Sequence, residues 1–113
     1  MHEMSLMESV LEIVEEEARK AGATKVKAVR LDIGELSHVE PEAMRFCFDA
    51  VVRGTIAADA VLEIVRVPGE GWCMDCAETV ALSERFGACP KCGGHKVQMT
   101  GGDDMRVAEL EVE

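Results

Sequence analysis

Residues 69–100 read GEGWCMDCAETVALSERFGACPKCGGHKVQMT, and their four cysteines decide how the chain must be organised. Cys73-Met74-Asp75-Cys76 and Cys89-Pro90-Lys91-Cys92 form two C-x2-C pairs with twelve residues between them. Two residues between thiolates let a tight turn aim both sulfurs at one tetrahedral ion, while the backbone amides that follow hydrogen-bond the sulfurs. Pro90 and Gly93 suit the second turn, whereas Ala77 follows the first where a glycine is usual. Gly69, Gly71, Gly87, Gly93 and Gly94 punctuate a stretch with little apolar material, so a metal must supply much of its folding energy. Four thiolates suit Zn(II), or iron in a rubredoxin-like site, and two redox disulfides are the rival reading. Ala77 and the scarcity of aromatics around the knuckles favour zinc. A closed four-sulfur site keeps no open position for catalysis, which makes the metal structural.

On both sides of this insert the pattern is that of an ordinary small domain. Ser5 and Glu8 form a capping-box signature that predicts a helix start, with Leu6, Val10, Leu11, Ile13 and Val14 at helical spacing and Gly22 at the end. Lys25 to Ile33 alternates as a half-buried strand, Val29, Leu31 and Ile33 facing one way and Arg30 and Asp32 the other, stopped by Gly34. Pro41 and Glu42 suit the first turn of a second helix, whose stripe is Met44, Phe48, Val51 and Val52 and whose end is Gly54. Val61 to Val67 and Arg106 to Glu113 read as two further strands. The expected fold class is α+β: two helices packed on a small mixed three-stranded sheet, with an inserted zinc-ribbon module. The expected domains are 1–68 plus 101–113, and the ribbon at 69–100.

The bulk numbers bound the function. A chain of 113 residues fits one small domain carrying a smaller module. A net charge of −10 excludes the basic stripe that phosphate-backbone binding needs, so nucleic acid is not an expected partner. Much of the acid lies on the first helix and near the C-terminal end, as a solvated face. The opening Met-His-Glu-Met-Ser lacks the features of a signal peptide, and no stretch reaches membrane-spanning length, so a cytosolic protein without a membrane role is expected. In that compartment paired cysteines are metal ligands or redox groups rather than structural disulfides.

His2 follows the initiator Met. A bulky second residue keeps Met1 in place, so the Met1 amine, the His2 amide and the His2 imidazole can close fused chelate rings on one ion. Nitrogen-rich, roughly square arrangements of this kind suit Ni(II) or Cu(II), and Glu3 offers a further amide or carboxylate. Cys47, between Phe46 and Phe48 on the second helix, reads as a small buried apolar side chain. His38 reads as a loop histidine, and His95 as an exposed neighbour of an already complete sulfur site.

Four motifs together resemble the HypA/HybF family of nickel metallochaperones: Met1-His2-Glu3, Ile33-Gly34-Glu35, Phe46-Cys47-Phe48-Asp49 and the double knuckle. The resemblance covers essentially the whole chain, in order. It implies that His2 is the chief nickel ligand, with Met1 and Glu3 beside it, and that Glu40 stands where some relatives carry an acidic residue near the nickel. It implies Zn(II) on Cys73, Cys76, Cys89 and Cys92, and Ni(II) as an ion that is passed on. The implied partners are a GTP-hydrolysing chaperone conventionally called HypB and the large subunit of [NiFe]-hydrogenase, with urease maturation and its accessory proteins added in some members. Monomer, homodimer and domain-swapped dimer are all compatible with the residues. Two further expectations follow: acid weakens nickel binding, because the ligands must lose protons, and the ribbon, inserted in the nickel domain, communicates with the nickel site.

A rival of another class is a zinc-ribbon protein–protein adaptor with no nickel role, whose activity would survive a blocked N-terminus. An enzyme is not expected, since there is no phosphate-binding glycine loop, no H-E-x-x-H and no three-ligand zinc pattern. A rubredoxin-type electron carrier would be coloured as isolated, and a zinc protein colourless.

Overall fold

The computed structural model describes residues 2–113. Its elements run α1 (His2–Lys20), β1 (Val26–Gly34), α2 (Pro41–Val51), β2 (Val61–Val67), β3 (Gly69–Cys73), β4 (Glu78–Leu82), β5 (Val97–Gly101) and β6 (Met105–Val112). They form two three-stranded sheets, ordered β2-β1-β6 and β4-β3-β5, and two compact units. No helix among the described residues is long and apolar enough to cross a membrane.

The first unit comprises residues 2–32, 40–65 and 106–113. Both helices belong to it, with a core of Met7, Val10, Val14 and Ala18 from α1, Val26, Val29 and Leu31 from β1, and Met44, Cys47, Phe48 and Val52 from α2 and its end. Cys47 is one of these packed side chains, at 4% exposure. The expected first stripe is only partly right. Val10 and Val14 are buried, but Ile13 is 49% exposed, and Met7 and Ala18 complete the stripe instead. The helix also begins at His2 rather than after Ser5, because half-buried Met4 and buried Met7 carry the apolar face a turn further back than the Ser5–Glu8 signature implies.

The sheet of this unit is mixed. Lys25 and Glu113 exchange backbone hydrogen bonds at 3.3 and 2.8 Å where β1 begins and β6 ends, so these strands run antiparallel. The Glu35 amide donates to the Val67 carbonyl at 2.9 Å, which puts the ends of β1 and β2 side by side, in parallel, with α2 as the crossover that parallel strands require. Asp32, expected on the solvent face, is 8% exposed. Its carboxylate meets the Arg30 Nε at 3.1 Å and the Arg106 Nε at 3.6 Å, and this neutralisation allows its burial in the central strand. The Asp32 carboxylate holds the Arg30 guanidinium above its ordinary pKa by hydrogen bonding and charge.

The second unit comprises residues 33–39 and 66–105, and so takes in more than the expected insert. The reason is local. The Gly34 amide donates to Asp104 at 2.8 Å and the Leu36 amide to Gly102 at 2.7 Å, while the Arg85 Nε donates to the Leu36 carbonyl at 2.7 Å. Gly102 has φ +79°, and a Cβ there would meet the Gly69 Cα at 2.6 Å and run into the Pro68 carbonyl. Gly102→Ala therefore combines a left-handed backbone with a backbone collision, and is expected to cost about 3 kcal/mol or more in urea unfolding followed through this unit.

Within this unit, β3 is the central strand. Trp72 lies opposite Thr79 of β4 and Gln98 of β5, and Cys73 opposite Glu78 and Val97. Burial alternates along β3, with Gly69, Gly71 and Cys73 inward and Glu70 and Trp72 outward.

Candidate metal centre

The inward face of the second unit holds Cys73, Val80 and Cys89, with Cys76 and Val97 packed against them. Around the sulfurs the apolar contribution is two valines, one of them only partly buried, while Ile33, Leu36, Val39 and Leu82 are the unit's other buried apolar side chains. This matches the expectation that a glycine-rich insert cannot be held by apolar burial alone.

Each knuckle is built by its own backbone. In the first, Cys73 ends β3, the Ala77 amide donates to the Cys73 carbonyl at 2.8 Å, and the Cys76 amide points at the Cys73 Sγ at 3.4 Å. In the second, the Gly93 amide donates to the Cys89 carbonyl at 2.8 Å and the Lys91 amide points at the Cys89 Sγ at 3.4 Å. The two turns end alike, Gly93 at φ +74° and Ala77 at φ +54°. Alanine in the left-handed region carries a penalty that glycine does not. Ala77→Gly is therefore expected to stabilise the metal-loaded ribbon by about 1 kcal/mol, read as a rise in its thermal unfolding midpoint.

The four sulfurs lie within 4.8 Å of one another. Cys73 and Cys92 are 3.7 Å apart, Sγ to Sγ, and Cys76 and Cys89 are 3.9 Å apart. A tetrahedral ion with metal–sulfur bonds of about 2.3 Å places its ligands about 3.8 Å apart, so the donor set fits one ion at its centre. All four thiols are free, and neither pair is a disulfide. Cys73 and Cys89 are buried, Cys76 half-buried and Cys92 exposed, so the site sits at the edge of its small core. Lys91 of the second knuckle pairs with Glu78, just after the first, and ties the two turns across the sulfurs.

The protonation chemistry of the four differs. The Cys92 amide, followed by that of Lys91, holds the Cys89 thiol down to about 7. Hydrogen bonding with the Cys92 and Cys73 sulfurs pushes Cys76 up to about 12. A divalent ion needs all four as thiolates, so binding near neutral pH expels protons, including the tightly held one of Cys76. Affinity must therefore fall as pH falls. Competition with a chromophoric chelator should show a loss of at least about tenfold per pH unit below neutrality.

The N-terminal candidates are arranged differently. His2 is exposed and opens α1, Glu3 is half-buried in its first turn, and Met1 lies outside the described residues. Glu40 is exposed and caps α2, its Oε1 accepting from the Glu42 amide at 3.4 Å. This helix-capping role was not read from the sequence, although Pro41 at the first helical position puts Glu40 at the N-cap. His38 is exposed in the loop before α2 at φ +63°, and His95 is exposed after the second knuckle. Among the described residues, the four cysteines are the one group of three or more potential ligands brought together; His2, Glu3 and Glu40 are not gathered into a second.

Fold and site together define a small α+β protein with a four-thiolate metal ribbon. A family model described as "Hydrogenase/urease nickel incorporation, metallochaperone, hypA" matches residues 1–112. The hydrogenase maturation factor HypA of Rhizobium leguminosarum bv. viciae is 65% identical over 112 residues, covering 99% of each chain. That of Dechloromonas aromatica is 62% identical over 113 residues, covering both chains completely. Among solved structures, the solution structure of the Ni metallochaperone HypA from Helicobacter pylori superposes with a TM-score of 0.71 at 31% identity, covering 97% of this chain and 96% of that one. This chain belongs to the HypA family of hydrogenase nickel-incorporation metallochaperones.

Proposed function

We propose that this protein binds one Ni(II) at its N-terminus and hands it on for maturation of [NiFe]-hydrogenase, while Zn(II) on Cys73, Cys76, Cys89 and Cys92 holds the ribbon. The observation that carries the reading is the family match over residues 1–112, in a chain that opens Met-His-Glu with His2 exposed at the first position of α1. The first amides of a helix have no intrahelical acceptor, so those of His2 and Glu3 stay available to a metal. The positive end of the helix dipole opposes a cation there, and the Glu3 carboxylate offsets it. Glu40 is the supporting acidic residue and the Met1 amine the further nitrogen. An exposed chelate with few side-chain ligands can both select nickel and release it to a deeper site. On this reading the donors of cargo and recipients of the handover are a HypB-type GTPase and the hydrogenase large subunit, in the cytosol, with urease maturation as a second outlet.

The test is calorimetric titration of nickel into tag-free, zinc-loaded protein near neutral pH and again in mild acid. About one ion per chain at neutral pH, bound more weakly in acid, is the expected result, because the imidazole must be neutral and an amide must lose its proton. An affinity that does not change with pH would remove the chelate. Absence of any nickel binding would leave a zinc-ribbon adaptor.

The ribbon's influence on nickel belongs to the same proposal. Residues 33–39 cluster with the ribbon, held at Leu36 by Arg85, and lead in sequence directly into Glu40. Nickel affinity should therefore shift in Arg85→Met with its zinc content unchanged; identical affinity would disconnect the two.

A further inference from the structure

The Phe46-Cys47-Phe48-Asp49 motif is only half explained by the core. Cys47 and Phe48 are buried, yet Phe46 is 73% exposed. Phe46 lies one helical turn before Ala50, on the same side of α2. Ala50 and Val51 in turn line a groove of about 520 Å³ whose other wall is Met4, Glu8, Leu11 and Glu12 of α1. The floor is apolar, with Met4, Leu11 and Val51 half-buried, and Phe46 lies outside the lining, a turn away along α2. From Met4 to Glu12 the wall runs about 12 Å, two turns of helix.

The charge is one-sided. Glu8 and Glu12 are the only charged residues lining the groove. They stand four apart on one helix, a like-charge spacing that destabilises it, and neither has an ion-pair partner among the described residues. Glu15 continues the same acidic edge by a further turn. A cation placed between these carboxylates would relieve the repulsion, and an apolar stripe beside it would cover Phe46 and Leu11. A second copy of the chain, at net charge −10, would bring more acid to an acidic wall.

We propose that the α1–α2 groove is a docking site for a basic amphipathic helix of a partner protein. A groove between two packed helices matches a third in shape, and recognition of this kind reads apolar anchors at i, i+3, i+4 and i+7. Phe46 is the aromatic anchor, and Glu8 and Glu12 set the orientation and the preference for lysine or arginine. The inference goes beyond nickel binding and does not need it.

The test uses the full zinc-loaded chain, isotopically labelled, and two short synthetic helices with the same leucine stripe, one flanked by lysines and the other by glutamates. The lysine helix is expected to shift the amides of residues 4–12 and 46–51 at micromolar concentrations, and the glutamate helix to leave them in place. Phe46→Ser, at an exposed position, should weaken binding by about tenfold or more while ribbon and core signals stay unchanged. The Glu8→Gln/Glu12→Gln double variant should do the same and remove the salt dependence. His2→Ala should bind the helix as the parent does, so a failed nickel site and a failed groove give different results. Equal binding of both helices, shifts centred elsewhere, or groove shifts that grow with protein concentration alone would overturn the proposal, the last pointing to a second copy.

Discussion

Chelation of the metal at neutral pH will melt the ribbon and leave the helical unit folded. Around the sulfurs the side chains are Val80, partly buried Val97 and the cysteines themselves, so apart from Ile33, Leu36, Val39 and Leu82 the second unit has little apolar burial to hold its backbone once the ion is gone. Structural zinc in small modules contributes about 10 kcal/mol or more of folding energy, several times what so small a core supplies. The first unit has its own core of helix and strand side chains, Met7, Val14, Leu31 and Met44 among them, and needs no metal. Amide spectra should then lose dispersion across residues 66–105 while the Val10, Val29 and Leu31 methyl signals keep their positions. Cys89→Ser should reproduce the effect even with zinc in excess, because Cys89 is a buried member of the four-sulfur set and a hydroxyl cannot replace its thiolate. Retention of ribbon dispersion in the chelated, reduced protein would falsify the structural role of the metal.

Nickel binding is the second large effect. His2→Ala removes the one side-chain nitrogen at the N-terminus, and the Met1 amine with the adjoining amides cannot replace an imidazole in a chelate of fused rings. Nickel affinity should fall by about 100-fold or more, with zinc content and thermal unfolding of the helical unit unchanged, since His2 is exposed and supports no packing. Acetylating the Met1 amine should have a comparable effect for the same reason. Glu40→Gln is expected to be milder on nickel, and its cost to the α2 cap small, because the amide oxygen can still accept from Glu42. If His2→Ala titrates like the parent, nickel does not bind at the N-terminus.

Much of the centre was legible in the sequence because its determinants are local. The C-x2-C spacing sets the reach of two sulfurs through one tight turn, whatever the rest of the chain does. The sulfur separations of 3.7 and 3.9 Å follow when two such turns face each other. Pro41 opening a helix and the β-branched, apolar-rich run that forms β1 are local in the same sense. The ribbon's own sheet was not legible. Its strands are only five residues each, the central one carrying Gly69 and Gly71, and they exist because β3 finds β4 and β5 on either side.

The misreadings share one cause. Ser5-x-x-Glu8 has the form of a helix start, but packing of Met4 and Met7 decides that α1 begins at His2. Leu6 and Ile13 are at least as apolar as Met7 and Ala18, and only the side on which the rest of the unit, α2 among it, packs against the helix selects between them. Asp32 looks solvent-facing in a period-two pattern until Arg106, remote in sequence, arrives beside it.

By itself, then, the sequence determined the order of the helices and strands on either side of the ribbon, the four-thiolate set and the family, since each depends on spacing along the chain. Tertiary structure alone decided which helix face is buried, that residues 33–39 fold with the ribbon, and that Phe46 stands exposed on α2, whose Ala50 and Val51 wall an acidic groove. Those outcomes depend on contacts between residues far apart in sequence, whose free energy exists only after the chain has closed on itself.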